Sequence, residues 1–253
     1  MYNDLFSIGP LTVHGYGLMI AIGVLAALFV GEARAKKRNM NADVLYVMTF
    51  LCVLFGFLSA KILFCIVEWK SFVSDPLSVL SSNGFVVYGG IIGGVLTAYL
   101  YCRIKKLDFV AYFDLMLPSV ALAQGFGRIG CFLAGCCYGR ETDSFFGIVF
   151  KNSHFAPNGV RLIPTQLISS AGMFAVAAVL FLYARKERRR GRVGALYMIL
   201  YSVGRFFVEF LRNDFRGEVG PLSTSQFISL FILVAGVLIF AGKKKSEKEQ
   251  DAV

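Results

Sequence analysis

The chain has 253 residues, of which 57% are hydrophobic and 17% charged, and its mean hydropathy is +0.65. This composition excludes an ordinary soluble domain: too little charge remains to cover a water-facing surface, so the apolar excess must face lipid. The formal net charge of +10 points to nucleic acid only if the basic residues form one surface. They are instead divided among loops, so no nucleic-acid partner is expected.

Met1 to Val13 carry no positive n-region, and the apolar run after Tyr16 is too long for an h-region, so no secretory signal peptide is expected. A helix needs roughly 20 apolar residues to cross a hydrocarbon core ~30 Å thick. Seven stretches meet this, and the chain reads as an all-α integral membrane protein with transmembrane helices at about 15–33, 43–67, 84–102, 108–131, 166–184, 193–212 and 223–242. The first is followed by Arg34, Lys36, Lys37 and Arg38, and the second carries Lys61 near its end. The third begins near Tyr88 and its glycines and is followed by Arg103, Lys105 and Lys106. The fourth is the least clean, with Asp114, Pro118, Gln124 and Arg128 inside it. A mixed, turn-rich stretch at 138–165 then reads as a small extracytoplasmic cap with a short strand around Phe146 to Phe150 and His154 on its surface. Arg185, Lys186, Arg188, Arg189, Arg190 and Arg192 follow the fifth span, and Lys243, Lys244, Lys245 and Lys248 the seventh. Residues 1–245 form one transmembrane domain in this reading, and 246–253 a disordered cytosolic tail.

Those basic blocks alternate along the chain as cytosolic loops do, which places the N-terminus outside and the C-terminus in the cytosol. Retention beside anionic lipid accounts for them fully. No internal repeat of the transporter type is visible.

Charge inside a membrane costs about 2.5–3.5 kcal/mol per residue on insertion scales, so each instance is a functional candidate. Depth follows from a rise of ~1.5 Å per residue. On this scale Lys61, Arg128, Arg205, Glu209 and Arg212 share the outer half of the membrane with Tyr16 and Tyr88, and His14 lies close by. Arg205, Glu209 and Arg212 have i, i+4, i+7 spacing and share a helix face. Glu209 pairs with one arginine and leaves net positive charge. Such a cluster attracts a phospholipid phosphate, whose oxygens match the planar fork of arginine. The alternative is a salt-bridge network that only locks helices together, and Lys61 could simply snorkel. Asp114 and Glu32 lie towards the cytosolic side and suit packing or ion-pair roles.

Two glycine-rich stretches accompany the cluster. Gly89, Gly90, Gly93 and Gly94 suit close helix packing, or let a lipid headgroup approach the backbone near Tyr88. Gly125, Gly127, Gly130, Gly135 and Gly139 flank Arg128 and suggest an irregular segment lining a cavity.

The run Gly127-Arg128-Ile129-Gly130-Cys131-Phe132-Leu133-Ala134-Gly135-Cys136-Cys137-Tyr138-Gly139 resembles the signature of bacterial prolipoprotein diacylglyceryl transferases. Tyr16-Gly17-Leu18-Met19, Tyr88-Gly89-Gly90, Pro164-Thr165-Gln166-Leu167, and Gly204-Arg205 with Glu209 and Arg212 resemble further motifs of that family in the same order. The resemblance therefore spans nearly the whole chain. It implies a multi-pass enzyme of the bacterial cytoplasmic membrane. Such an enzyme moves the diacylglyceryl group of phosphatidylglycerol to the lipobox cysteine of a prolipoprotein signal peptide, forms a thioether and releases glycerol phosphate. Arg128 and Arg205 would stabilise the leaving phosphate, with Tyr88 as a third catalytic candidate. Tyr16, Lys61, Gly89, Gly139, Glu209 and Arg212 would bind or orient substrate. No metal, nucleotide or other cofactor is implied, and no ligand cluster of the usual spacing is present.

The family signature usually has Asn at Cys131, Asn at Ala134, Glu at Cys136, His at Tyr88 and Arg at Lys61. Tyr88 would act as a base only if nearby arginines lowered its pKa from ~10; His14 is a second candidate. Cys131, Cys136 and Cys137 admit three readings: a polarisable packing patch, an outer-face disulfide such as Cys131 with Cys136, or a catalytic or metal-binding thiol. The competing functions are a phospholipid-binding or lipid-transporting membrane protein and a paralogue with another acceptor.

Overall fold

The computed structural model describes the chain apart from residues 1–3, 10, 83, 154, 214–216 and 243–253. His154, the last basic block and the expected tail lie outside the described residues. The protein is mostly helical. Among the described residues six helices are long and apolar enough to cross a membrane: α1 (Gly15–Lys37), α2 (Asp43–Val67), α5 (Val87–Ile104), α6 (Phe109–Ala134), α7 (Thr165–Tyr183) and α9 (Thr224–Ala241). Between α2 and α5 lie two short helices, α3 (Trp69–Ser74) and α4 (Pro76–Ser81). The sixth stretch read from the sequence forms α8 (Arg192–Glu209). It is not among the apolar six, because its 18 residues hold Arg192, Arg205 and Glu209. Large apolar side chains point outward, such as Phe29 on α1, Phe50 on α2 and Leu238 on α9. Exposed apolar surface on this scale requires a lipid solvent, and the chain is a multi-pass membrane protein.

Among the described residues there are also three short antiparallel pairings: β1 (Asp4–Ile8) with β2 (Leu11–His14), β3 (Ile148–Val149) with β4 (Arg161–Leu162), and β5 (Glu218–Val219) with β6 (Leu222–Ser223). The strand expected around 146–150 is β3. Chain contacts divide the molecule into two compact units, Met1–Phe29 with Phe113–Val253, and Val30–Tyr112.

In the first unit, Ala121, Met173, Ala177, Leu180, Ala184 and Val193 form a core between α6, α7 and α8. Small side chains dominate it, as expected where van der Waals contact rather than water exclusion joins helices. The buried Asp114 fixes the start of α8. Its carboxylate accepts from the backbone N–H groups of Gly191 at 2.7 Å and Gly194 at 2.8 Å, satisfying donors that a helix N-terminus otherwise leaves open. The segment 135–164 has a small core of its own, in which Phe150, Ala156 and Leu162 are covered by Phe132, Tyr138 and Val160.

The expected irregular glycine segment is corrected in part: Gly135 and Gly139 lie in irregular chain beyond the helix, but the three before them do not. α6 stays helical through Gly125, Gly127 and Gly130 to Ala134. Glycine weakens a helix by only about 1 kcal/mol relative to alanine, and here it buys close packing. A Cβ on Gly130 would stand 3.1 Å from the Tyr16 ring, and one on Gly125 would strike the Phe174 ring.

In the second unit α2 packs along α5. A Cβ on Gly89 would lie 2.5 Å from the Ser59 carbonyl oxygen, and Gly93 meets Ser59 as well. The packing reading of this glycine stripe therefore has direct support. Glu32 is paired with Lys36 at 2.5 Å and accepts from the Tyr46 hydroxyl.

Candidate active site

The site of the first unit is built where α6 ends. Gly135 takes a left-handed φ of 72°, its N–H bonds the Phe132 carbonyl at 3.1 Å, and the Cys136 N–H bonds the Cys131 carbonyl at 3.1 Å. This 5→2, 6→1 pair is a Schellman cap. It folds the residue after the glycine back onto the residue three positions inside the helix, so Cys136 returns to Cys131. Cys137 is also left-handed, with φ 61°, a conformation that L side chains adopt only at a cost.

The loop so formed is held by the Pro164–Leu167 motif and by the chain just beyond α8. The Thr165 hydroxyl donates to the Cys137 carbonyl and Gln166 Nε2 to the Cys136 carbonyl, both at 2.7 Å. Gly139 donates to the Ile163 carbonyl at 3.1 Å, Arg140 to that of Leu211 at 2.9 Å, and Ile163 to that of Arg140 at 3.0 Å. A Cβ at Gly139 would lie 2.6 Å from the Ile163 oxygen and 2.8 Å from the Leu211 oxygen. Gly139 is thus the close-approach point at which the end of α6, the start of α7 and the end of α8 are stitched together. Its place is structural, whatever headgroup lies nearby.

The end of α8 carries the charge. Arg205 Nη2 lies 2.9 Å from Glu209 Oε2, with the two side chains 11% and 8% exposed. Arg212 Nε is 3.9 Å from the same oxygen, and Arg212 is buried. The helix stops at Glu209, so Arg212 sits just beyond it, bridged to Gly139. Arg205 Nη2 also donates to Ser225 Oγ of α9 at 2.8 Å. One carboxylate thus faces two guanidinium groups, but Arg212 reaches it from beyond the helix end and not from the shared helix face that the spacing predicts.

Arg128, on α6, is half-buried and lies within electrostatic reach of Arg205, Tyr16 and Cys131. Among the described residues its guanidinium makes no hydrogen bond or ion pair. An arginine half-buried near Arg205, without a partner among the described residues, is an arrangement that a phosphate could complete. Tyr16 opens α1, packs on Gly130 and is 44% exposed. His14, at the end of β2, is exposed.

None of the six cysteines forms a disulfide, which corrects the disulfide reading of Cys131 with Cys136. The sulfur atoms of Cys131, Cys136 and Cys137 nevertheless lie within 4.8 Å of one another. Thiol hydrogen bonding with Cys131 and then with Cys137, together with burial, pushes the Cys136 thiol up from its ordinary value. Sequence spacing alone gave no metal-ligand set. The Schellman cap supplies it by turning a five-residue separation into contact.

The other sequence candidates belong to the second unit. Lys61 Nζ donates to the Ser82 carbonyl at 2.7 Å and to the Gly84 carbonyl at 3.3 Å, and lies 5.1 and 5.0 Å from the ring centres of Phe64 and Phe85. It ties Ser82, Gly84 and Phe85 to α2, a role that depth arithmetic does not foresee. Tyr88 is 41% exposed in the first turn of α5, and Gly89 beside it is buried against α2. Residues with no assigned role in the sequence reading are Thr165, Gln166 and Ser225. The first two belong to a recognised motif, whereas nothing marks Ser225 except its fold partner.

The chain matches the model of the prolipoprotein diacylglyceryl transferase family over residues 3–241. It is 50% identical over 238 residues to the phosphatidylglycerol–prolipoprotein diacylglyceryl transferase of Clostridium tetani, covering 93% of this chain and 95% of the relative. It is 49% identical to the second such enzyme of Clostridium perfringens, covering 94% of each chain. With that of Staphylococcus haemolyticus it shares 32% identity over 92% of this chain and 85% of the relative. These matches extend over both units and include every motif that builds the site, so the chain belongs to the prolipoprotein diacylglyceryl transferase family.

Proposed function

We infer that this protein transfers the diacylglyceryl group of phosphatidylglycerol to the lipobox cysteine thiol of prolipoproteins, forming a thioether and releasing glycerol phosphate. Family membership across 93% of the chain at 50% identity carries the reaction. The unpaired Arg128 beside the Arg205–Glu209 pair carries the assignment of the site.

In this reading the headgroup phosphate of phosphatidylglycerol seats between Arg128 and Arg205. As the acceptor sulfur attacks the terminal glyceryl carbon, the carbon–oxygen bond breaks and its electron pair moves to the phosphate. The leaving group goes from one negative charge to two. Cations placed in advance gain more from the doubly charged state than from the ground state, which is the condition for lowering the barrier. Glu209 holds Arg205 and Arg212 in orientation. Tyr16 stands at the edge of the site, packed on Gly130; within the second unit Tyr88 is a catalytic candidate, and Lys61 and Gly89 are substrate-binding candidates.

The test is release of glycerol phosphate from phosphatidylglycerol vesicles by purified protein. Release is expected with a lipobox peptide present and absent with a peptide whose cysteine is replaced by serine. Tight lipid binding without release would favour a phospholipid-binding or lipid-transporting protein instead.

We also propose that α8 crosses the membrane with the six apolar helices. Residues 1–245 then form one seven-span domain, with the N-terminus outside, 138–165 as an outer cap and the C-terminus in the cytosol. The burial of its charged residues against Ser225 and each other makes such a crossing affordable. The basic clusters after α1, α5 and α7 support the orientation. Reporter fusions should show the N-terminus outside; a cytosolic N-terminus would put the arginines against the wrong leaflet.

A further inference from the structure

We propose that Cys131, Cys136 and Cys137 form a three-thiolate site for one thiophilic divalent cation of the zinc class, whose fourth position takes the acceptor cysteine of the substrate peptide. The inference rests on the transfer reading above and deepens it.

The geometry is that of a site with one open position. The sulfur atoms lie within 4.8 Å of one another, and among the described residues no fourth His, Cys, Asp or Glu joins the group. A tetrahedral zinc thiolate with bonds of about 2.3 Å has sulfurs about 3.8 Å apart, so small side-chain rotations close the set. Structural zinc sites fill four protein ligands, whereas reactive ones keep three and leave the fourth for substrate. The backbone that carries the thiols is fixed from outside: Thr165 and Gln166 hold the carbonyls of Cys137 and Cys136 at 2.7 Å. Those side chains orient the ligands without occupying the sulfurs, as supporting groups around metal sites do. Cys137 keeps its left-handed φ of 61° within that support. A packing patch needs neither three converging thiols nor a strained backbone at one of them.

The surroundings supply a reason for the location. Arg128 and Tyr16 lie within electrostatic reach of the cluster. The cation assigned to the leaving phosphate therefore stands beside the sulfur position where a thiol would bind. Three thiolates and a divalent ion carry one net negative charge, which Arg128 offsets.

The step balances as follows. Uptake of the metal releases the three thiol protons and replaces thiol hydrogen bonds by metal–sulfur bonds. The acceptor thiol, ordinarily of pKa about 8.5, loses its proton to solvent on binding the metal, because a coordinating thiol is deprotonated outright. Its sulfur electron pair forms the sulfur–carbon bond to the terminal glyceryl carbon of phosphatidylglycerol. The carbon–oxygen bond to the phosphate breaks, and its pair goes to the phosphate oxygen. One thiolate and one phosphodiester, each singly negative, give a neutral thioether and doubly negative glycerol phosphate. Nothing is oxidised or reduced. The thioether is a poor ligand compared with thiolate, so the product leaves the metal.

The experiment loads detergent-purified full-length protein with Zn²⁺ or Co²⁺ and removes the excess. Elemental analysis should give about one ion per chain in the wild type and under about a tenth in the Cys131→Ser and Cys136→Ser variants. The cobalt form should show intense thiolate-to-metal absorption, which a lipobox peptide changes and its cysteine-to-serine counterpart does not. Because the spectrum is read on wild-type protein, it stands even if a variant fails to fold. Wild-type protein that takes up no ion, or a cobalt spectrum indifferent to the peptide, overturns the proposal. So does undiminished transfer after chelation to under about a tenth of an ion per chain, an outcome that leaves the transfer function intact. A peptide-sensitive cobalt spectrum without any thioether product would sustain the metal site and remove the transfer reading instead.

Discussion

Arg128→Ala should lower kcat/KM for diacylglyceryl transfer by about 10²–10³-fold, the cost of removing one preorganised charge-stabilising group, while leaving thermal unfolding almost unchanged. The two halves of this expectation come from one observation. Among the described residues the Arg128 guanidinium has no hydrogen bond or ion pair, so truncating it breaks no internal polar contact. On the proposed reading, what it loses is the phosphate partner that arrives with the substrate. Arg128→Lys should recover part of the rate only, because an ammonium restores charge but not the fork that meets two phosphate oxygens. Kinetics with phosphatidylglycerol vesicles and a lipobox peptide check both variants. Wild-type turnover in Arg128→Ala would remove the phosphate clamp from the mechanism.

Glu209→Ala is expected to behave differently, because Glu209 holds the site together from within. Its carboxylate lies 2.9 Å from Arg205 and 3.9 Å from Arg212, and both partners are largely buried. Removing one member of a buried pair leaves the other charge uncompensated and costs about 3–5 kcal/mol. Here two arginines would be left facing each other near the end of α8. Activity and thermal stability should therefore fall together, and Glu209→Gln should restore stability only in part, since it keeps the shape and loses the charge. Thermal unfolding in detergent distinguishes this from Arg128→Ala. A stable Glu209→Ala protein that lacks transfer would mean that Glu209 acts on the substrate rather than on the arginines.

The contrast between the two residues explains what the sequence makes legible. Hydropathy locates the apolar helices because a span must bury about 20 residues in lipid whatever its neighbours do. Charge inside such a span is equally visible, and so Arg128, Arg205 and Glu209 can be picked out without any structure. Depth along a helix is also readable, but direction around it and the reach of a side chain are not. Lys61 has a suitable depth, yet its ammonium is taken up by the carbonyls of Ser82 and Gly84. The three charges that make α8 interesting are also what keep it out of the apolar set.

The rest depends on contacts between distant segments. Glycine density around Arg128 suggests an irregular chain, whereas α6 continues because Tyr16 and the Phe174 ring fill the space where side chains would stand. The junction of 139–140 with 163 and 211 is made of backbone hydrogen bonds, which any sequence can form and none advertises. Gly135 could have been read as a helix stop, and with it the return of Cys136 to Cys131. Convergence of Cys137 on the same point needs the left-handed turn held by Thr165 and Gln166, and that is a tertiary fact.

The central claim is that the bond made at this site joins a glyceryl carbon to a cysteine sulfur. Mass spectrometry of a lipobox peptide incubated with purified protein and phosphatidylglycerol measures this directly. The expected product carries one diacylglyceryl group on the cysteine, in a linkage that survives mild alkali as a thioether while its acyl esters are lost. An unmodified peptide, or lipid joined elsewhere than at that sulfur, would contradict the account.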